Sequence, residues 1–168
     1  ANRQDVTLSF VAPREISVMH AVAHLPGVIS AEPFRADDVV LRHGRREVRE
    51  AVLGLPFNAR LSRLIGSDGQ AVEPPVAGIA LARALAAKLH ATPGDELEIE
   101  QVSGRRVQAR IRVSAIVDPM VGSSAYMNID DLGRLFREPG RISGAHLSLD
   151  PARYAAFNTQ LKETPALA

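Results

Sequence analysis

Apolar and polar positions run in two periods along the chain, and the change from one to the other is clearest over residues 76–100, VAGIALARALAAKLHATPGDELEIE. Leu81, Leu85 and Leu89 recur at four-residue spacing and, with Ile79 and Ala82 beside them, form one apolar stripe that predicts an amphipathic helix. Lys88 and His90 place basic groups near its C-terminus, where the helix dipole favours cations. Thr92-Pro93-Gly94-Asp95 then ends the helix, because proline cannot continue it. Leu97 and Ile99 alternate with Glu96, Glu98 and Glu100, the period of a strand with one buried face. The three leucines are expected to be nearly fully buried.

The same reading extends to both sides. Residues 6–12 (VTLSFVA) predict a strand, and Pro13 is expected to open a helix that runs to about Leu25. That helix places Ile16, Met19, Val22 and Ala23 inward, with Ser17, His20 and His24 together on another side. Residues 28–34 predict a second strand. Residues 39–42 and 47–53 predict a hairpin around His43-Gly44-Arg45, whose mixed charges suit a solvated face. A short helix is expected over 58–65, a turn at Ser67-Asp68-Gly69 and an extended connector at Glu73-Pro74-Pro75. Beyond the central unit, residues 107–117 and 123–127 read as strands and 128–136 as a helix with Ile129, Leu132 and Leu135 inside. Residues 144–149 form a last strand, and Asp150-Pro151 begins a helix carrying Tyr154, Phe157 and Leu161.

Residues 6–28 and 144–167 share a plan of strand, proline at the helix start, a helix and a proline-bearing exit. Each copy alone leaves an apolar helix face unburied, so the two are expected to share one sheet. The fold class that follows is α+β: a ferredoxin-like, porter-type βαβ half built from both chain ends, with an inserted mixed α/β subdomain. The expected division is a single domain with one subdomain over about 1–55 plus 140–168 and an inserted one over about 56–139. Hinges are expected at Leu55-Pro56-Phe57 and Arg137-Glu138-Pro139-Gly140.

Composition narrows the chemistry. The chain has 168 residues, is 46% hydrophobic but only 4% aromatic, and lacks Trp and Cys, so its core is aliphatic and neither a disulfide nor a cysteine-based zinc site is possible. A net charge of +1 is too balanced to argue for nucleic acid or an anionic membrane. No stretch approaches the roughly 18 apolar residues of a membrane span. The opening Ala1-Asn2-Arg3-Gln4-Asp5 carries no secretory-signal pattern, and with the close at Pro165-Ala166-Leu167-Ala168 it is what a segment of a longer chain would show. His20 and His24 have a metal-ligand spacing, but Ala21-Val22-Ala23 between them supplies no glutamate, so a polar helix stripe is the expected reading. Asp37-Asp38 and Asp130-Asp131 are adjacent pairs that seldom converge on one site, and Asp130-Asp131 suits a helix first turn. Ser123-Ser124 has no nucleophile-elbow context, and Gly66, Gly69 and Gly78 match no phosphate loop. No catalytic residue, cofactor or metal site is expected. The one candidate contact site is the tip of Asp118-Pro119-Met120-Val121-Gly122-Ser123, where Met120 and Val121 offer adaptable apolar surface.

The run GIALARALAAKLHATPGDELEIE, followed by VSAIVD and SSAYMNIDDLGRLF, resembles the extracytoplasmic domain of FtsX-like permeases, the MacB-like and lipoprotein-releasing (LolC/LolE) group of ABC transporters. LPGV at 25–28 is similar to the helix exit in that domain's first βαβ unit. The chain departs from some lipoprotein-releasing members by having no long hairpin insertion. The resemblance implies a non-catalytic domain between two transmembrane helices, on the outer side of a bacterial inner membrane. Its partners would be a second permease copy in a dimer, a cytoplasmic ATPase subunit or domain coupled through the membrane, and a cargo or periplasmic partner protein. The cargo class implied is lipoprotein, lipid, or peptide and drug. The competing classes are a free-standing extracytoplasmic binding module and a metallohydrolase using His20 and His24.

Overall fold

The computed structural model describes residues 4–61, 64–65, 71–118, 123–164 and 167. Among the described residues ten strands run in chain order as β1 (Gln4–Glu15), β2 (Val28–His43), β3 (Arg46–Leu55), β4 (Leu64–Ile65), β5 (Ala71–Val72), β6 (Ile79–Ala82), β7 (Glu96–Gln101), β8 (Gln108–Val117), β9 (Ala125–Asn128) and β10 (Arg141–Leu149). Interleaved with them are the α-helices α1 (Met19–Ala23), α2 (Arg83–Leu89), α3 (Ile129–Leu135) and α4 (Tyr154–Lys162). The chain divides into two units, one of Ala1–Phe34, Arg60–Ser62 and Gly140–Ala168, the other of Arg35–Ala59 and Arg63–Pro139. The division therefore falls within β2 after Phe34, not near residue 55.

In the first unit β10 lies between β1 and β2 and is antiparallel to both, so the strand pieces from the two chain ends share one sheet. Leu8, Ala145, Leu147 and Leu149 on one face pack with Val22 of α1 and Phe157 of α4. On the other face Thr7, His146 and Glu32 stand in register across the three strands. The Glu32 carboxylate accepts the N–H groups of Arg60 and Leu61 at 2.7 and 3.1 Å. Among the described residues of 58–65 there is no helix: 58–61 hold only turn and bend, and Leu64–Ile65 pair as strand β4 with β5. Pro13 does not open a helix either. It lies in β1, an edge strand where a missing N–H breaks no second ladder. The helical part shrinks to a 3-10 turn, Ile16–Val18, followed by the five residues of α1.

The second unit is a closed barrel. Its six strands run in the order β2-β3-β9-β6-β8-β7, and β7 pairs back onto β2 from Val39↔Gln101 to Arg42↔Glu98. The expected mixed α/β subdomain is thus mostly strand, a barrel with α2 and α3 attached. β2 and β3 form the expected hairpin, with Gly44 at φ 61 in the turn. The β3–β9 and β6–β8 pairs are parallel. Val39, Leu41, Val52, Leu97, Ile99, Val113, Ala125 and Met127 fill the interior, and α2 and α3 add Leu85, Leu89 and Leu132. Leu81, Leu85 and Leu89 are 0%, 3% and 0% exposed. Leu81, however, belongs to strand β6, because Leu81↔Ile116 and Ala82↔Val117 pair with β8 and spend that backbone on the sheet. The helix begins only at Arg83. The turn after α2 is held by Asp95, whose carboxylate accepts the N–H of Thr92 at 2.9 Å and its hydroxyl at 3.2 Å. These bonds, the backbone one foremost, hold the Asp95 carboxyl below its usual range.

Candidate functional site

Met120 and Val121 lie outside the described residues, as does Ser67-Asp68-Gly69. The structure gives the two ends of the connector that carries Met120 and Val121, and both are fastened. Arg83 Nε, at the start of α2, donates to the two carboxylate oxygens of Asp118 at 3.1 and 3.2 Å. Ser123 Oγ donates to the carbonyl of Ala51 in β3 at 2.7 Å, and the carbonyl of Ser124 accepts the Ala82 N–H at 2.7 Å. The Arg83–Asp118 pair is solvent-exposed and is worth about 0–1 kcal/mol. Anchoring therefore rests mainly on the backbone bonds and on Ser123.

The candidate reactive residues are occupied elsewhere. His24 Nδ1 donates to the carbonyl of His20 at 2.6 Å, so the helical spacing serves a local bond at the end of α1. Among the described residues no three His, Asp or Glu groups gather as metal ligands. Asn128 Oδ1 accepts the N–H groups of Asp130 and Asp131 at 3.0 and 3.2 Å, which caps α3. Asp131 then pairs with Arg134 one turn on. Asp37 belongs to an ion pair, and Ser123 spends its hydroxyl proton on a carbonyl. Tyr126 is fully buried, and burial pushes its hydroxyl up to about 12, so it stays protonated.

A buried polar cluster in the barrel unit was not legible in advance. Arg35 is 4% exposed. Its Nε donates to Asp37 Oδ2 at 2.7 Å and its Nη1 to the Glu138 carbonyl at 3.0 Å. Gln101 Nε2 reaches Asp37 Oδ1 and Glu138 Oε1, both at 3.4 Å, while its own carbonyl oxygen accepts the Val107 N–H at 3.2 Å. A guanidinium shared between two carboxylates and a carbonyl is satisfied, which is what lets it be buried. The sequence held one trace of it: Arg35 and Asp37 are opposite charges at i and i+2, on one face of a strand. Glu138, about a hundred positions on, left none.

The outer face of β2, β7 and β8 is laced with charge. Glu96, Glu98 and Glu100 of β7 stand opposite Arg112, Arg110 and Gln108 of β8. Arg42 of β2 bonds Glu100 at 2.7 Å and Glu47 of β3 at 3.0 Å. The Arg42 bond, first among several causes, holds the Glu100 carboxyl below its ordinary value. Of the hairpin's charges, Arg42 and Glu47 are thus paired within the face.

The fold, an antiparallel sheet with helices in one unit and a six-stranded barrel in the other, is similar to that of two solved extracytoplasmic transporter domains. The extracellular domain of the noncanonic ABC-type transporter YknZ from Gram-positive bacteria matches at 14% sequence identity and a TM-score of 0.59, over 95% of this chain and 88% of that one. The periplasmic region of MacB from Actinobacillus actinomycetemcomitans matches at 12% identity and a TM-score of 0.54, over 97% of this chain and 84% of that one. No family model matches the chain, and no curated protein matches its sequence. No helix among the described residues is long and apolar enough to cross a membrane.

Proposed function

We propose that the chain is a non-catalytic extracytoplasmic domain of an ABC transporter permease, passing ATP-driven motion to a cargo or to a partner protein. The observation that carries this reading is the fold correspondence with two such domains over 95% and 97% of the chain. On this reading the domain lies on the outer side of a bacterial cell membrane in a dimeric permease, and the ATPase is cytoplasmic. The first unit, with its β-α-β start and its returning β10-α4 segment, is the ferredoxin-like, porter-type half. The barrel is the inserted subdomain. Satisfied ion pairs and aliphatic cores suit a part that must move as rigid pieces. Met120 and Val121 are the contact tip, carried on a connector whose ends are tied to α2 and β3.

Reading the gene on both sides of the chain tests the assignment. Apolar segments of about 20 residues are expected on each flank. A signal peptide with no such segments would overturn the permease reading in favour of a free binding module. Crosslinking from position 120 in the intact transporter then tests the contact tip. Products with a second permease copy or an extracytoplasmic partner are expected, and products with neither would remove the contact role.

A further inference from the structure

Strand β3 pairs with β2 from Arg46 onward, but on its other side β9 reaches it only from Val52 to Leu55. Residues 46–51 therefore carry an outer edge. Backbone groups alternate in direction along a strand, and the carbonyl of Asp38 accepts the N–H of Val102, just past β7. Val39 and Leu41 of β2 accordingly face β3, where they meet Glu50 and Val48. Glu47, Arg49 and Ala51 then point their backbone groups outward. Those of Ala51 are taken, its N–H by Glu50 Oε1 at 3.1 Å and its carbonyl by Ser123 Oγ at 2.7 Å. Those of Glu47 and Arg49 have no partner among the described residues.

The side chains along this edge run Arg46-Glu47-Val48-Arg49-Glu50. Laid antiparallel against itself about Val48, the run sets Arg46 opposite Glu50, Glu47 opposite Arg49 and Val48 opposite Val48. The same register brings the free backbone groups of Glu47 to those of Arg49, so each copy both donates and accepts. A slide of two residues sets Glu47 against Glu47 or Arg49 against Arg49, and a slide of one sets outward backbone groups against inward ones. Edge charges ordinarily keep foreign strands away. These repel in the shifted registers and attract in one. Arg46 and Arg49 are exposed and in no ion pair among the described residues, and Glu47 engages Arg42 through Oε2, leaving Oε1 to a second guanidinium.

We propose that the outer edge of β3, residues 46–50, is a docking surface for a second copy of this chain, paired antiparallel about a twofold axis at Val48. The proposal deepens the dimeric transporter reading by naming where two copies meet, and rests on it for the membrane that brings them together. So short an edge binds weakly between free chains and gains from confinement in one membrane. The test uses the 168-residue chain, diluted from about 1 mM and followed by NMR and sedimentation. Concentration-dependent shifts are expected at the amides of Glu47 and Arg49, whose N–H groups gain acceptors. Glu47→Arg and Arg49→Glu lie at exposed positions and should each keep the parent thermal midpoint. Each should weaken self-association about tenfold or more, because like charges then meet on both sides of the axis. An equimolar mixture of the two variants should restore it, since position 47 of each then meets an opposite charge at position 49 of the other. Misfolding of either variant would give no such rescue. A parent with no concentration dependence, shifts confined to other residues, single variants that associate like the parent, or a mixture that stays dissociated would each overturn the proposal. None of these results touches the transporter reading, which stands or falls on the flanking gene.

Discussion

In the unit that holds both chain ends, three strands present one apolar face, and Val22 and Phe157 from α1 and α4 must cover it. In the barrel unit six strands close on one another, and the side chains of Leu41, Val52, Leu97 and Ile99 meet inside. The same aliphatic vocabulary serves both, but closure distributes the work differently. A closed barrel buries one face of every strand by its own curvature and needs helices only to complete the core. The open sheet depends on pairings such as Gln4↔Leu149, which join positions at opposite ends of the chain. Long-range pairing of this kind forms late and is entropically expensive, so the first unit is the one expected to be more sensitive to local damage.

Gly144→Val tests that expectation most severely. An added Cβ would lie 2.6 and 2.7 Å from the Phe34 ring and closer still to the Leu8 carbonyl, so both neighbouring strands must move. A loss of more than about 3 kcal/mol in urea denaturation is expected, with hydrogen-exchange protection lost first in β1 and β10. Parent-like stability would show that the sheet is looser than described. Leu85→Ala places a cavity in the barrel core instead, and a loss of roughly 2–5 kcal/mol is expected by the same measurement. A change below about 1 kcal/mol would mean that this face of α2 contributes little to the core.

Asn128→Ala removes the cap of α3 and is expected to lower stability by about 1 kcal/mol, because the Asp130 and Asp131 N–H groups lose their acceptor. The smallest effect is a pH slope in the first unit. Burial lowers the His146 pKa below its ordinary 6.5, with Glu32 opposing in part, and the ring lies 4.6 Å from that of Phe34. The unfolded chain therefore binds the proton more readily than the folded one. The stability contributed by neutral His146 is complete above pH 6.5 and declines as the pH falls below it. Thermal unfolding of His146→Gln between neutral and acid pH should show a flatter slope than the parent, and an unchanged slope would assign the dependence elsewhere.

What the sequence disclosed follows from how local each signal is. The alternation of Leu97 and Ile99 with three glutamates, the hairpin at Gly44 and the helix with Asp130-Asp131 in its first turn are written within a few residues, and all three appear in the structure. The shared sheet of the chain ends was legible because the two segments repeat one plan. Leu81 was misplaced because four-residue spacing satisfies a helix stripe and also keeps strand positions on one face, and its parallel partner Ile116 leaves no local mark. Pro13 suited a helix start as well as an edge strand. The four apolar residues from Phe10 to Pro13 broke the alternation of β1, and that break was the available sign of the bulge. Closure of the barrel through Val39↔Gln101 and the cluster around Arg35 join residues far apart in sequence, and no periodicity reports them.

The closed ladder also sets how the chain should respond to load. Drawing any barrel strand out of place must break hydrogen bonds on both of its sides at once, since each has two neighbours. Peeling β1 breaks one ladder only, already interrupted between Ser9 and Arg14. Under tension the edge strand should therefore yield first and the barrel last, like a fuse in series with a rigid link.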